Sequence, residues 1–334
     1  MKIIPYRNIL VIKPGAIGDL LQMTPVFRLL KQAYPDSRIT LMVGSAGSAD
    51  IFLNNPNITE VIIYDRKGLH RSLTGMLSLW KDLRSRKFDL ILNFQRSNIR
   101  TWLLAAAALP CRILVYHKAE KRTIHAVENY LETIAPLGIT TDDIHLDFIV
   151  RPEALKIAKS LLHDTTAGTG PIVILNPGAS HPVNRWPARK FAELTDLAVS
   201  RLQARIVIIG GPGDEELAGK IVTLCKSHPL SLAGKTPLPV LAAVLKQSDI
   251  LVSGDTGPMH LATAVGAPVI ALFGAADPLR TGPVGLRTMV LQAGTPSCIP
   301  CRSRSCGNSR HLACMENISA EEVCDSITRM LGKP

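Results

Sequence analysis

Aromatic residues make up only 4% of this 334-residue chain. That poverty removes the stacking platforms on which single-stranded nucleic acids are usually held. Long apolar runs are also missing. The nearest approach, TWLLAAAALPCRILVY, is broken by Pro110 and Arg112 and falls short of the ~18 residues that a membrane-crossing helix needs. The first segment, MKIIPYRNILVIKPG, is interrupted by Arg7, Asn8 and Lys13 and is followed by no small-residue cleavage site, so no signal peptide is expected. The three-glycine dinucleotide fingerprint is lacking, which takes away the main warrant for a nicotinamide dehydrogenase. No solenoid-period repeat or low-complexity tract is visible. Seven cysteines, an odd number without an export signal, read as reduced thiols in a cytoplasmic protein.

What the chain does have is aliphatic: 46% of it is hydrophobic. Its length exceeds the ~250 to 300 residues at which one core stops growing, so two domains are expected. Short apolar runs alternate with longer amphipathic segments. NILVIK, RITLMV, EVIIY, FDLILNF and CRILVY read as buried parallel strands. After TTAGTGP (165–171), which reads as a linker, the rhythm restarts with IVILN, RIVIIGG, DILVSG and PVIALFG. Helices are expected near 188–202, 213–226, 237–247 and 257–265. Strand, helix, strand repeated twice predicts two doubly wound, Rossmann-like α/β domains, each with a crevice at the carboxyl ends of its strands and the two crevices facing across a cleft. A last helix starts at SAEE, where Ser319 and Glu322 have capping-box spacing.

The net charge is +11, and residues 66–122 hold thirteen Lys/Arg against three Asp/Glu. Such a window is either a solvated face or an attractor of phosphate-rich partners, and a lipid surface ranks above nucleic acid among these.

Four segments carry chemistry. In SGDTGPMHLATAVGAPVIALFG (253–274) a strand hands over to a helix, and Pro258 fits its first turn. Free amides at Thr256 and Gly257 would then form an anion site, with His260 on the same helical face. Asp255 either caps that helix or meets sugar hydroxyls beside the phosphates. In VIKPGAIGDLLQMTP, Lys13, Gly15 and Gly18 shape a loop, and Asp19 either caps the next helix or takes a proton from an acceptor hydroxyl. NPGASHPVNRWPARKF offers Ser180 and Arg185 as phosphate donors, and Trp186-Pro187 starts a helix. IIGGPGDEELA places Asp214, Glu215 and Glu216 at a glycine-rich turn, where carboxylates can accept from ribose hydroxyls or simply complement a helix dipole.

These segments, with LAGKTPLPVLAAVL, resemble the ADP-heptose:lipopolysaccharide heptosyltransferases, family 9 of the glycosyltransferases, over nearly the whole chain. The resemblance implies a GT-B architecture: an acceptor domain over 1–165, a nucleotide-sugar donor domain over 166–318, and a C-terminal helix, 319–334, packing back toward the first. It implies inverting transfer of heptose from ADP-heptose to the inner core of a lipid A-linked oligosaccharide, with no required metal. By motif position Asp19 matches the general base. Asp255, Thr256, Gly257 and His260 match the donor segment, with Glu215 or Glu216 near the ribose. Family members often carry Lys two residues before the Trp-Pro pair; here Asn184 stands there, and Arg185 is the neighbouring charge. The basic window would serve an anionic glycolipid acceptor and peripheral contact with the cytoplasmic face of the inner membrane.

Cys298, Cys301, Cys306 and Cys314 fall within seventeen residues, a set chemically adequate for structural zinc, but the spacing of the second pair is not a standard knuckle and favours free thiols or a loop disulfide. Two other functions are compatible with the same architecture: a nucleotide-sugar epimerase, and a non-catalytic nucleotide- or lipopolysaccharide-binding protein.

Overall fold

The structure is a computed structural model and describes residues 6–95, 99–119, 123–163 and 169–332. The chain divides into two compact units, 1–149 and 150–334.

The first unit is built on five parallel strands: β1 (Asn8–Ile12), β2 (Arg38–Val43), β3 (Glu60–Ile63), β4 (Leu90–Asn93) and β5 (Arg112–Val115), in the order β3-β2-β1-β4-β5. Register is set by pairs such as Leu10 with Thr40 on one side of β1 and Leu10 with Ile91 on the other. Successive residues of a strand point to opposite faces, and in β1, β2 and β4 nearly all are buried, so helices and loops cover both sides. Over one face Leu79 and Leu83 from the helix Leu73–Ser85 join Leu104 and Ala105 from the helix Ile99–Ala106 in one core with Leu10, Ile12 and Ile91.

The second unit has six parallel strands: β6 (Ile172–Asn176), β7 (Arg205–Ile208), β8 (Leu230–Ser231), β9 (Ile250–Gly254), β10 (Val269–Phe273) and β11 (Thr288–Gln292), ordered β11-β10-β9-β6-β7-β8. Numbered within the unit this is the order of the doubly wound dinucleotide fold, and the first unit follows the same order less its last strand. The chain reverses direction across each sheet between its first and fourth strands, β1/β4 in one unit and β6/β9 in the other. At such a switch point the loops leaving the carboxyl ends diverge and open a crevice. All nine strands read from the sequence are present. The two edge strands β8 and β11 were not among them.

The helices Ala188–Leu202, Glu215–Leu224, Leu238–Lys246 and Gly257–Ala264 lie where the pattern put them. The division between units differs from the expected 165. The helix Pro152–His163 packs on Leu238–Lys246, and the Gln247 side-chain amide donates to the Leu155 carbonyl (3.0 Å), which ties this helix to the second unit. Of the expected linker, residues 165–168 lie outside the described residues. The C-terminal helix Ala320–Met330, expected to reach toward the first domain, packs on Ala188–Leu202 of its own unit: Val323, Cys324 and Ile327 enter the core with Trp186 and Phe191. Its cap is as expected, with the Ser319 hydroxyl accepting from the Glu322 amide at 3.1 Å.

Candidate functional site

In the first unit, β1 ends at Ile12 and the chain turns at once, the Gly15 amide donating to the Lys13 carbonyl at 2.8 Å. A side chain at Gly15 would come within 2.9 Å of the Lys13 side chain, so the glycine leaves the space through which that stem passes. Lys13 is buried. Its ammonium donates to the Tyr130 hydroxyl (3.1 Å), lies 3.7 Å from the Asp19 carboxylate, and sits over the rings of Tyr130 and Tyr116 at 4.9 and 5.9 Å. The Tyr130 hydroxyl donates in turn to Asp19 at 3.3 Å.

Asp19 lies in the first turn of the helix Ile17–Leu21, whose N-cap, Ala16, makes no side-chain cap. Its carboxylate is held by Tyr130 and Lys13, with the side chain still 47% exposed. Of the two readings the sequence left open, this geometry suits the proton acceptor: a carboxylate fixed on one side and open on the other. Burial pulls the Lys13 pKa below the ordinary lysine value, opposed by the nearby Asp19 charge. Burial, then the Asp19 charge, pushes Tyr130 well above the ordinary tyrosine value, which keeps it a hydrogen-bond donor. Tyr130 and Tyr116 were not read from the sequence. They lie 111 and 97 positions from Asp19, and an aromatic in AVENYL carries no local mark of such a contact.

In the second unit three of the four segments converge at the β6/β9 switch point. Asn176, at the end of β6, donates through Nδ2 to the hydroxyls of Ser253 (2.9 Å) and Thr256 (3.0 Å), and those hydroxyls bond each other at 2.9 Å. This small buried network locks the start of the helix Gly257–Ala264. Thr256 is the N-cap, yet its hydroxyl is spent in the network and makes no cap. The Asp255 carboxylate accepts from the Thr281 hydroxyl at 3.0 Å. The helix therefore begins with Gly257 and Pro258 and with backbone amides that its N-cap side chain does not cover, the arrangement that attracts anions. His260, one turn in, is 4% exposed.

The other loops are wedged against this one. A side chain on Gly254 would meet the Asn184 carbonyl at 2.7 Å, which places the 182–185 turn at the end of β9. Arg185 lies half-buried with two of its guanidinium nitrogens donating to the Ala179 carbonyl, at 3.1 and 3.0 Å. Asn184, where the family's lysine was expected, has a buried side-chain oxygen without a hydrogen-bond partner among the described residues. The turn after β7 nests on Gly178, where a side chain would strike the Asp214 carboxyl group. Asp214 accepts from the Gly211 amide at 3.0 Å, a structural duty. Glu215 lies against Gly234, whose φ of +72° is in the left-handed region that favours glycine. Ser180 and Glu216 are exposed. Trp186 is structural: its ring N–H donates to the Ile318 carbonyl at 3.1 Å inside the core.

Of the readings left open for the cysteine cluster, free thiols is the one seen. Cys298, Cys301, Cys306 and Cys314 line one largely apolar pocket of about 370 Å³, but all four are free thiols, and among the described residues no three His, Cys, Asp or Glu side chains could hold a metal. The reason is local. Cys306 accepts the Leu312 amide at 3.3 Å, while Cys314 is turned inward against Gly274 and Met315. Burial pushes the Cys314 thiol pKa up. Among the described residues no helix is long and apolar enough to cross a membrane.

Comparison with known proteins bears on the fold and the family. The chain is 29% identical to lipopolysaccharide heptosyltransferase 3 of Escherichia coli (strain K12), over 94% of its own length and 95% of that protein. A solved glycosyl transferase family 9 structure from Veillonella parvula matches with a TM-score of 0.85 at 28% identity, covering 98% of both chains. The E. coli ADP-heptose lps heptosyltransferase II shares the fold at a TM-score of 0.79 and 20% identity, covering 97% and 98%. The profile of glycosyltransferase family 9 (heptosyltransferase) matches residues 76–311, and the chain belongs to that family.

Proposed function

We propose that this protein is an inverting heptosyltransferase that moves a heptose from ADP-heptose to the inner core of lipopolysaccharide, working in the cytoplasm at the inner face of the membrane. The observation that carries the reading is the start of the Gly257–Ala264 helix, where the N-cap Thr256 spends its hydroxyl on Asn176 and Ser253 and makes no side-chain cap. It suits a diphosphate, and Asp255 and Glu215 suit the hydroxyls of its sugars. The donor named for the E. coli relative of the same fold, ADP-heptose, has these features.

The reaction is a direct displacement. Asp19 accepts the proton of an acceptor hydroxyl as its oxygen bonds to the anomeric carbon of the heptose. The bond from that carbon to the β-phosphate oxygen breaks, and its electron pair leaves with ADP. The amides at 256 and 257, His260 and Arg185 stabilise the charge that grows on the diphosphate. Such fixed donors commonly supply the larger share of a rate enhancement. Nothing in this sequence of steps calls on a metal.

The test is product analysis with ADP-heptose and a deacylated, water-soluble core acceptor. Wild-type protein should yield ADP and heptosylated core in equal amounts. The Asp19→Asn variant should lose about 10² to 10⁴-fold in turnover while ADP binding is unchanged. Release of an altered nucleotide sugar without acceptor would make it an epimerase. Binding without turnover would make it a binding protein.

A further inference from the structure

Seven of the fifteen large hydrophobic side chains exposed among the described residues lie between positions 69 and 109, an eighth of the chain. They are not scattered. On the helix Leu73–Ser85, Leu79 and Leu83 face the core, while Leu73 (84% exposed) and Leu77 lie one turn apart on a different side. On the helix Ile99–Ala106, Thr101, Leu104 and Ala105 are buried, whereas Ile99 (76% exposed), Trp102 and Leu103 follow one another at i, i+3 and i+4. That second spacing is the pattern by which a helix marks its core-facing stripe, here turned to solvent. A helix apolar on all sides is ordinarily buried on all sides.

The two helices stand side by side. Both feed the same core beneath them, and Arg84 in the last turn of the first donates to the carbonyls of Ala107 (3.3 Å) and Leu109 (2.8 Å) just beyond the end of the second. Their C-terminal ends are thus neighbours, and their apolar N-terminal halves emerge together at the carboxyl edge of the sheet, the edge from which the Lys13–Asp19 loop also leaves. Leu69 (72% exposed) extends the patch. Gly75, where a side chain would strike the Leu69 carbonyl, allows its turn to press on the first turn of the helix Leu73–Ser85.

Around these leucines stand Arg66, Lys67, Arg71 and Arg100, all exposed. Between 61 and 81 the one acidic residue is Asp65, whose carboxylate accepts the amides of Lys67, Gly68 and Leu69. Large apolar side chains ringed by cations form a surface that lies on an anionic bilayer: the leucines enter the acyl boundary and the cations meet the headgroups. A protein partner of ordinary composition would not need so one-sided a charge. We propose that the apolar ends of these two helices, with Leu69, insert into the surface of an anionic membrane and hold the acceptor-side edge of the first unit against it. The inference rests on the membrane-face part of the proposed function and gives it a definite surface.

The experiment uses the full chain and vesicles of phosphatidylethanolamine with phosphatidylglycerol, and of phosphatidylcholine alone. Wild-type protein should co-float with the anionic vesicles and much less with the neutral ones. Replacing exposed leucines should leave the thermal midpoint and turnover on the deacylated acceptor unchanged, and the double variant Leu73→Gln/Leu103→Gln should lower the partition coefficient by roughly tenfold or more. Brominated acyl chains should quench tryptophan emission in the wild type and distinctly less in Trp102→Phe. No co-flotation of the wild type, or partition by the double variant equal to wild type, would overturn the proposal. So would a concentration-dependent dimer that the double variant abolishes, since the patch would then belong to a second copy. Because flotation needs no turnover, and turnover on a water-soluble acceptor needs no vesicle, failure of this proposal and failure of the transferase reading are separable.

Discussion

The ammonium of Lys13 stands 3.7 Å from the carboxylate of Asp19, although it is buried and the carboxylate is half exposed. Burial favours the neutral amine and the carboxylate favours the ammonium, with burial the larger effect. The folded-state pKa therefore lies below the 10.5 of an ordinary lysine. In the window between that lowered value and 10.5 the unfolded chain binds more protons, so the Lys13 contribution makes the fold more stable as pH rises through it. Activity should run the other way. Loss of the ammonium removes the cation that steadies Asp19, so kcat/KM should fall on an alkaline limb with an apparent pKa below 10.5. In Lys13→Arg, whose guanidinium does not titrate there, that limb should disappear. A pH–rate profile of both proteins checks it, and an identical limb in both would remove Lys13 from the role.

Tyr130 donates to the same carboxylate, and its raised pKa keeps the proton in place across the working range. Hydrogen bonds to charged groups are worth about 1.5 to 3 kcal/mol. Tyr130→Phe should accordingly reduce kcat by roughly tenfold or more, with ADP affinity unaltered, because the ring and its packing against Phe94 and Tyr116 remain. Steady-state kinetics beside calorimetric ADP binding separate the two quantities.

The fold was legible because parallel strands are buried on both faces, and runs such as NILVIK and IVILN are apolar without alternation. The edge strands escaped notice for the converse reason: β8 has two residues, and TMVLQ in β11 is only partly buried. The unit boundary was misplaced because TTAGTGP has linker composition, whereas the helix before it is bound to the second unit through Gln247, a contact 92 positions away. At the site, the glycine-rich turns and the helix start at Gly257 could be read from local chemistry. The partners that hold Asp19 and Asp255, Tyr130 and Thr281, are 111 and 26 positions distant. No sequence window contains such a pair.

Asn176 tests the donor side. Both of its hydrogen bonds are donated by Nδ2, so Asn176→Asp removes the donor and adds a negative charge next to the helix start. That charge would compete with a diphosphate for the same amides. ADP affinity should fall by about tenfold or more, the equivalent of one charge-assisted hydrogen bond. Isothermal titration with ADP is the measurement, and unchanged affinity would move the diphosphate away from Thr256 and Gly257.

Gly254→Ala addresses how the loops are wedged. The added carbon would lie 2.7 Å from the backbone oxygen of Asn184, and a backbone group cannot rotate away as the end of a side chain can. The 182–185 turn must shift, carrying Arg185 with it. Overpacking of this kind costs about 1 to 3 kcal/mol, and in a unit of this size each 1 kcal/mol lowers the thermal midpoint by roughly 2 to 4 °C. Gly213→Ala is the control, because nothing lies within 4 Å of the carbon it would add. Thermal unfolding should show a lower midpoint for Gly254→Ala alone, and ADP should bind that variant more weakly than the control. Equal midpoints would mean that the turn does not rest on the end of β9, and Arg185 would lose the support that aims it at the departing phosphate.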